Sequence, residues 1–260
     1  MFPKKNYENK ILDSIIYSIC GNLIVIYQSE MTDQELRKAN YVSKLCWLNG
    51  RRIADGVACI STRNNYTRFC FFNPDGSFEI ICGNAIFAAT VYLLNNCSAK
   101  QLKIHPFDIA PIEVYIENSS YTIKTSVSIG IQPTSVVNFP PSLIHNTGSP
   151  HLVVQVDKVF EINLQKLGSI VTHYLNVNLT IFSYCNGKIF ARTYERGVED
   201  ETDACGTGAM AVAIEANIRS ISASSIIYSG GIYEVEMIKL YPQPVISLSV
   251  SKIYVELIEN

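Results

Sequence analysis

Several features that would classify a protein quickly are missing from these 260 residues. There is no excess of charge: 21 Lys and Arg stand against 23 Asp and Glu, a net of −2. That balance gives no electrostatic basis for binding nucleic acid or an anionic membrane. No apolar run approaches the roughly 18 residues of a membrane span; stretches such as Leu23 to Tyr27 are strand-sized. The opening residues, Met1-Phe2-Pro3-Lys4-Lys5-Asn6, are polar and contain no apolar signal core. Low-complexity tracts and Pro-rich linkers are absent. Eight cysteines are present, too dilute in this length for a disulfide scaffold, and no two of them sit at CxxC spacing. This argues against a zinc knuckle or a thioredoxin-like redox pair. The expectation is a soluble cytoplasmic protein with free thiols and no metal.

What is present is mostly strand. Short β-branched segments recur at Gly21–Tyr27, Gly56–Ser61, Thr67–Asn73, Lys103–His105, Ile112–Ile116, Thr122–Ser126, Leu152–Val156, Leu179–Tyr184, Lys188–Tyr194, Ile226–Tyr228, Ile232–Ile238 and Val245–Val250. Helix signals are fewer. Thr32–Leu48 reads as a helix, capped by Thr32 with Glu35 three residues on, and with Leu36, Ala39, Val42 and Leu45 on one face. Gly83–Leu94 and Gly206–Ile218 are Ala-rich and apolar nearly all round, the mark of a buried helix.

Those two helices open alike. Phe71-Phe72-Asn73-Pro74-Asp75-Gly76-Ser77 leads to Cys82-Gly83-Asn84-Ala85, and Tyr194-Glu195-Arg196-Gly197 leads to Cys205-Gly206-Thr207-Gly208. Each reads as a strand, an acidic-polar loop, a Cys-Gly-polar-small turn and a buried helix. The two cysteines are 123 residues apart, close to half the chain. This is the pattern of an internal duplication. We expect one lobe over 1–128 and a second over 129–249, with the boundary near Ser126–Gln132. A last strand near Ile253–Ile258 would return to the first lobe, so that 250–260 complete it.

A cysteine at a helix start meets backbone N–H groups that have no intrahelical partner, at the positive end of the helix dipole. The dipole lowers a thiol pKa by a unit or so at most, from about 0.3–2 kcal/mol, and apolar burial opposes it. Two such starts facing each other across a cleft do more. Their N–H groups, unhindered beside glycine, can grip one carboxylate between them. The sulfurs then flank the carbon that carries it. One thiolate removes an α-proton and the opposite thiol returns a proton to the other face, with no cofactor. The bland reading of a lone cysteine is a small buried hydrophobe. That reading suits Cys20, Cys46, Cys59, Cys70, Cys97 and Cys185, whereas the matched context singles out Cys82 and Cys205.

At these residues the sequence resembles the diaminopimelate epimerase family, the cofactor-independent two-cysteine racemases. Asn73-Pro74-Asp75-Gly76-Ser77 with Cys82-Gly83-Asn84 is similar to its first signature. The long run Glu195-Arg196-Gly197-Val198-Glu199-Asp200-Glu201-Thr202-Asp203-Ala204-Cys205-Gly206-Thr207-Gly208 is similar to its second. Gly148-Ser149-Pro150-His151, Asn176-Val177-Asn178 and Ser229-Gly230-Gly231 match weaker family turns in order. The resemblance implies an α+β fold of two pseudo-symmetric lobes, each a curved β-sheet wrapped around a central buried helix. It implies epimerisation of LL- to meso-diaminopimelate without cofactor, with Cys82 and Cys205 as the two bases. Backbone N–H groups of Gly83, Asn84, Gly206 and Thr207 would hold the reacting carboxylate. His151 would lie near Cys82 and Glu195 near Cys205, each tuning a thiol. Asn22, Asn73, Asn176 and Arg196 would bind the far end of the substrate. The only partner implied is a small amino acid, and the resemblance is compatible with a homodimer.

The bland alternatives are a solvated ion pair of Arg196 with Glu199 or Glu201, a satisfied structural His151, and asparagines that merely serve turns. The sequence also departs from the family. Ser18-Ile19-Cys20-Gly21-Asn22-Leu23-Ile24 keeps only part of a His-Gly-x-Gly-Asn-Asp-aromatic motif. Gly83-Asn84-Ala85-Ile86-Phe87-Ala88 stands where Gly-Asn-Gly-x-Arg-Cys is usual. These changes leave both cysteines in place and open the question of substrate. Three other readings stay in view: the same chemistry on another amino acid, a thiol redox protein using Cys82 and Cys205 as a pair, and an inactive homologue that only binds.

Overall fold

The computed structural model describes residues 15–63, 66–130, 134–135, 139–222, 224–239 and 243–258. The polar start Met1–Asn6 and the far end of the boundary region Ser126–Gln132 lie outside them. The duplication is explicit in the strand pairing. In the first half, Asn22–Gln28 runs parallel to Gly56–Arg63, which pairs antiparallel with Tyr66–Phe72. A short strand, Phe78–Glu79, then leads into a helix, and Gln101–His105 returns parallel to Tyr66–Phe72. In the second half, Pro150–Gln155 runs parallel to Asn178–Cys185, which pairs antiparallel with Lys188–Glu195. A short strand, Asp200–Thr202, leads into a helix, and Ser225–Ile227 returns parallel to Lys188–Glu195. The halves are sewn together where Ser120–Ser126 pairs with Val245–Ser251, and Val255–Ile258 pairs with Ile15–Ile19. The result is an α+β fold of two similar halves, each with its sheet around one helix.

Four α-helices occur among the described residues: α1 (Asp33–Arg37), α2 (Gly83–Asn95), α3 (Leu164–Leu175) and α4 (Gly206–Ile218). The two apolar helices, α2 and α4, are buried in a shared core, as their lack of a polar face requires. None of the four is long and apolar enough to cross a membrane.

The expected helix over Thr32–Leu48 is corrected. Thr32 and Glu35 do form a capping box, but α1 ends at Arg37 and a 3₁₀ helix follows over Asn40–Cys46. The reason lies in the spacing. Leu36, Ala39, Val42 and Leu45 are all buried and all three apart, which is the period of a 3₁₀ helix and drifts off the face of an α-helix. The expectation that six cysteines are buried also fails in part: Cys97 and Cys185 are exposed, one just after α2 and the other at the end of the strand Asn178–Cys185.

Helix α3 was not anticipated from the sequence. It is the crossover between Pro150–Gln155 and Asn178–Cys185, since a parallel pair cannot be joined by a tight turn. Asn163 caps it by accepting from the Lys166 N–H. Its Gly168 packs on the ring of Tyr194, where an added Cβ would lie 2.1 Å from Cγ. Gly168→Ala is therefore expected to destabilise by about 1–3 kcal/mol. The Tm should fall by about 2–4 °C per kcal/mol in a thermal scan. Tyr194 precedes Glu195, so the same change should also disturb the site described next.

Candidate active site

Cys82 and Cys205 occupy equivalent places, each the N-cap of its buried helix and each in extended backbone (φ −122° and −131°). Glycine at the first helical position lets the two helix starts touch backbone to backbone. A Cβ on Gly83 would fall 2.8 Å from the Gly206 Cα, and one on Gly206 would fall 3.1 Å from the Gly83 Cα. The N–H groups of Gly83, Asn84, Gly206 and Thr207 belong to these two first turns, where no intrahelical acceptor exists. Both thiols are free; Cys82 is half-buried and Cys205 buried. Burial raises both thiol pKa values above the ordinary range, and the charge of Glu195 raises them further. Backbone N–H groups oppose this, from Asn84 and Ala85 at Cys82 and from Gly208 at Cys205. The Gly208 N–H lies 3.3 Å from the Cys205 Sγ.

A narrow cleft runs from Cys82 and Asn84 past Asn22, Asp55, Phe71 and Asn73 to Glu195, Val198 and Thr202. Its cavity volume is about 10 Å³, the scale of a single water. Glu195 accepts from the Thr202 hydroxyl and stands within hydrogen-bonding reach of Cys205. Burial pushes its carboxyl up from 4.5 to about 7, against the lowering effect of Thr202 and Cys205. The native state thus holds this proton more tightly than the unfolded chain does. The stabilisation is complete below 4.5 and lost as pH rises through about 7. Glu195→Gln removes that titration. In thermal scans, the Tm of the variant relative to wild type is expected to rise between about pH 5 and pH 8.

His151 is fully buried, and burial with the nearby His145 pushes its pKa down to about 3. It is neutral at ordinary pH. Its Nδ1 lies 2.9 Å from Thr180 Oγ1 and its Nε2 2.9 Å from Thr207 Oγ1. Thr207 Oγ1 is in turn 3.3 Å from the Cys205 Sγ. The hydrogen bonds of His151 thus lead through Thr207 to Cys205. His151 also pairs in register with Asn178 on the neighbouring parallel strand.

The asparagines divide. Asn22 and Asn84 both donate to the carbonyl of Ala204, at 2.7 and 2.8 Å, tying the first half to the residue before Cys205. Asn73 donates to Ser77 Oγ at 2.9 Å and borders the cleft. Asn176 is exposed at the left-handed C-cap of α3 (φ 55°) and accepts from the Arg196 guanidinium at 3.1 Å. The buried member of that pair is Asn178, which sequence reasoning passed over. It accepts from the Arg196 N–H at 2.8 Å and lies 3.3 Å from His151 Nε2. Arg196 pairs with neither Glu199 nor Glu201. Glu201 binds Arg192 at 2.6 Å, and the partner of Arg196 is Glu79, from the other half. Asp55 and Thr202, which line the cleft, and Glu79, which pairs with Arg196, were also missed. Thr202 lies within the second signature, whereas no local motif marks Asp55 or Glu79.

Comparisons with known proteins bear on the family and the fold. The diaminopimelate epimerase family model matches residues 143–240. The diaminopimelate epimerase of Hydrogenobaculum sp. (strain Y04AAS1) is 32% identical over 217 residues, covering 72% of this chain and 73% of that protein. The diaminopimelate epimerase of Aquifex aeolicus (strain VF5) is 30% identical over 220 residues, covering 75% of each. Among solved structures, a hydroxyproline epimerase from Agrobacterium vitis with bound trans-4-OH-L-proline is similar at a TM-score of 0.72 and 10% identity, over 94% of this chain and 90% of that one. A phenazine biosynthesis protein of the PhzF family from Enterococcus faecalis is similar at 0.66 and 15% identity, over 94% and 96%. At these identities the solved structures speak for the fold alone.

Proposed function

Since the chain belongs to the diaminopimelate epimerase family, we propose that it inverts the α-carbon of an amino acid by two-base proton transfer between Cys82 and Cys205, without cofactor. The observation that carries this reading is the contact of Gly83 with Gly206, which sets two cysteine-capped helix starts against each other. In the proposed reaction the α-carboxylate lies on the N–H groups of Gly83, Asn84, Gly206 and Thr207. The two helix dipoles stabilise the negative charge that builds up on it as the Cα–H bond breaks. The proton passes to one sulfur, and the carbanion takes a proton from the opposite sulfur on its other face. The two thiols end with their protonation states exchanged. Solvent then resets them.

Two elevated thiol pKa values demand a way to form a thiolate. Glu195, with a carboxyl near pH 7 and in reach of Cys205, is suited to accept that proton. His151 is a positioning residue, fixing Thr207 beside the same sulfur. Asn22 and Asn84 hold the Ala204–Cys205 turn in register with the first half. In this reading Asn73, Asn176 and Arg196 form the far end and would meet the side chain of the substrate. Diaminopimelate, named in the relatives, is the reference substrate. The test is incubation of single enantiomers of a panel of amino acids in deuterated water. α-Deuterium incorporation with inversion is expected for at least one. Its absence with every member, in reducing buffer, overturns the reading.

A further inference from the structure

The ion pair at the far end bears on which amino acid fits. Glu79 and Phe71 are directly opposed in an antiparallel pair, so their side chains share one face of the sheet. Phe71 lines the cleft. Glu79 therefore projects to the cleft side, where its carboxylate binds the guanidinium of Arg196. Asn73 closes the same corner: a Cβ on Gly197 would lie 2.4 Å from its Nδ2. The pair is largely withdrawn from solvent, with 26% of the Arg196 side chain and 15% of that of Glu79 exposed. The other nearby cation, Arg52, stands 3.7 Å from Asp55, itself a cleft residue. Each of these two guanidinium groups already faces a carboxylate of the chain.

Resting on the reading of this cleft as an amino-acid site, we propose that Glu79 is a specificity-determining residue that selects against a lone carboxylate at the far end of the substrate and for a side chain ending in an amine. A far carboxylate has to displace Glu79 from Arg196 and leave it charged, half-enclosed and unpaired, which is costly. A far ammonium leaves the pair intact and gains the outer carboxylate oxygen and the amide oxygen of Asn73. Diaminopimelate, with both groups at that end, ranks between the two.

The test compares lysine and ornithine with glutamate and diaminopimelate on wild-type enzyme, Glu79→Gln and Glu79→Gln/Arg196→Met. Two readouts are taken: ligand-induced Tm shift, which needs no turnover, and α-deuterium exchange, which does. Wild type should favour the amine-ended acids. Glu79→Gln should move the ratio of apparent affinities toward glutamate by at least about tenfold, the low end for a close charge pair. The double variant should lose that gain. A general loss of structure lowers all four acids together and does not move the ratio. Preference of wild type for glutamate, or an unchanged ratio in Glu79→Gln, overturns the proposal. Absence of exchange with every acid overturns the epimerase reading instead, and the ordering of the Tm shifts still decides the role of Glu79.

Discussion

Cys82→Ser and Cys205→Ser are each expected to lower the rate of inversion by about 10²–10⁴, the range for losing a positioned acid or base. The serine hydroxyl keeps the size and the helix-capping position of the thiol, so folding should be little changed. What it loses is acidity: a thiol already raised by burial is still far easier to ionise than an alcohol. In the proposed two-base reaction each sulfur serves one face of the α-carbon, so the two variants should differ in handedness. Each should retain slow α-proton exchange with one enantiomer only, the one whose proton faces the surviving thiol. The measurement is deuterium incorporation into each enantiomer separately, with the optical purity of the recovered acid. Unchanged turnover in either variant removes the two-base mechanism.

Gly83→Ala is the second large effect. The added methyl carbon would meet three backbone atoms of the opposite helix start: Gly206 Cα at 2.8 Å, Gly206 C at 3.0 Å and Thr207 N at 3.1 Å. Backbone cannot rotate aside as a side chain can, so the two helices must separate. A shift of about 1 Å in a gripping site costs on the order of 10²-fold in rate. The strain is expected to cost about 1–3 kcal/mol, partly offset by the better helix propensity of alanine. The Tm should therefore fall by only a few degrees while kcat/KM falls about a hundredfold. Steady-state kinetics at a temperature well below the Tm separates the two. Retention of full kcat/KM in Gly83→Ala contradicts the idea that one carboxylate is held by both helix starts.

Much of this site is visible in local sequence because its central parts are local. A cysteine, a glycine and a run of small apolar residues specify a buried helix and its cap within a few positions, and both copies could be read that way. Helix α3 was legible in principle, with Asn163 as a cap and Leu164, Leu167, Val171 and Leu175 at helical spacing; the surrounding strand signals drew attention from it. The 3₁₀ segment was misread because spacing by threes was taken for spacing by threes and fours. Other features could not be read at all. Glu79 meets Arg196 across 117 residues, and Asn22 meets Ala204 across 182. Such contacts depend on how the two halves dock, and no periodicity encodes that.

The carbonyl of Ala204 receives two amide groups from the first half, and two residues further on the glycines of the two helices are in contact. This locks the floor of the cleft. Separating the helix starts would break both of these hydrogen bonds at once. Cys82 and Cys205 cap the very helices whose starts are tied in this way, so the contacts that join the two halves also fix the two sulfur-bearing caps relative to each other.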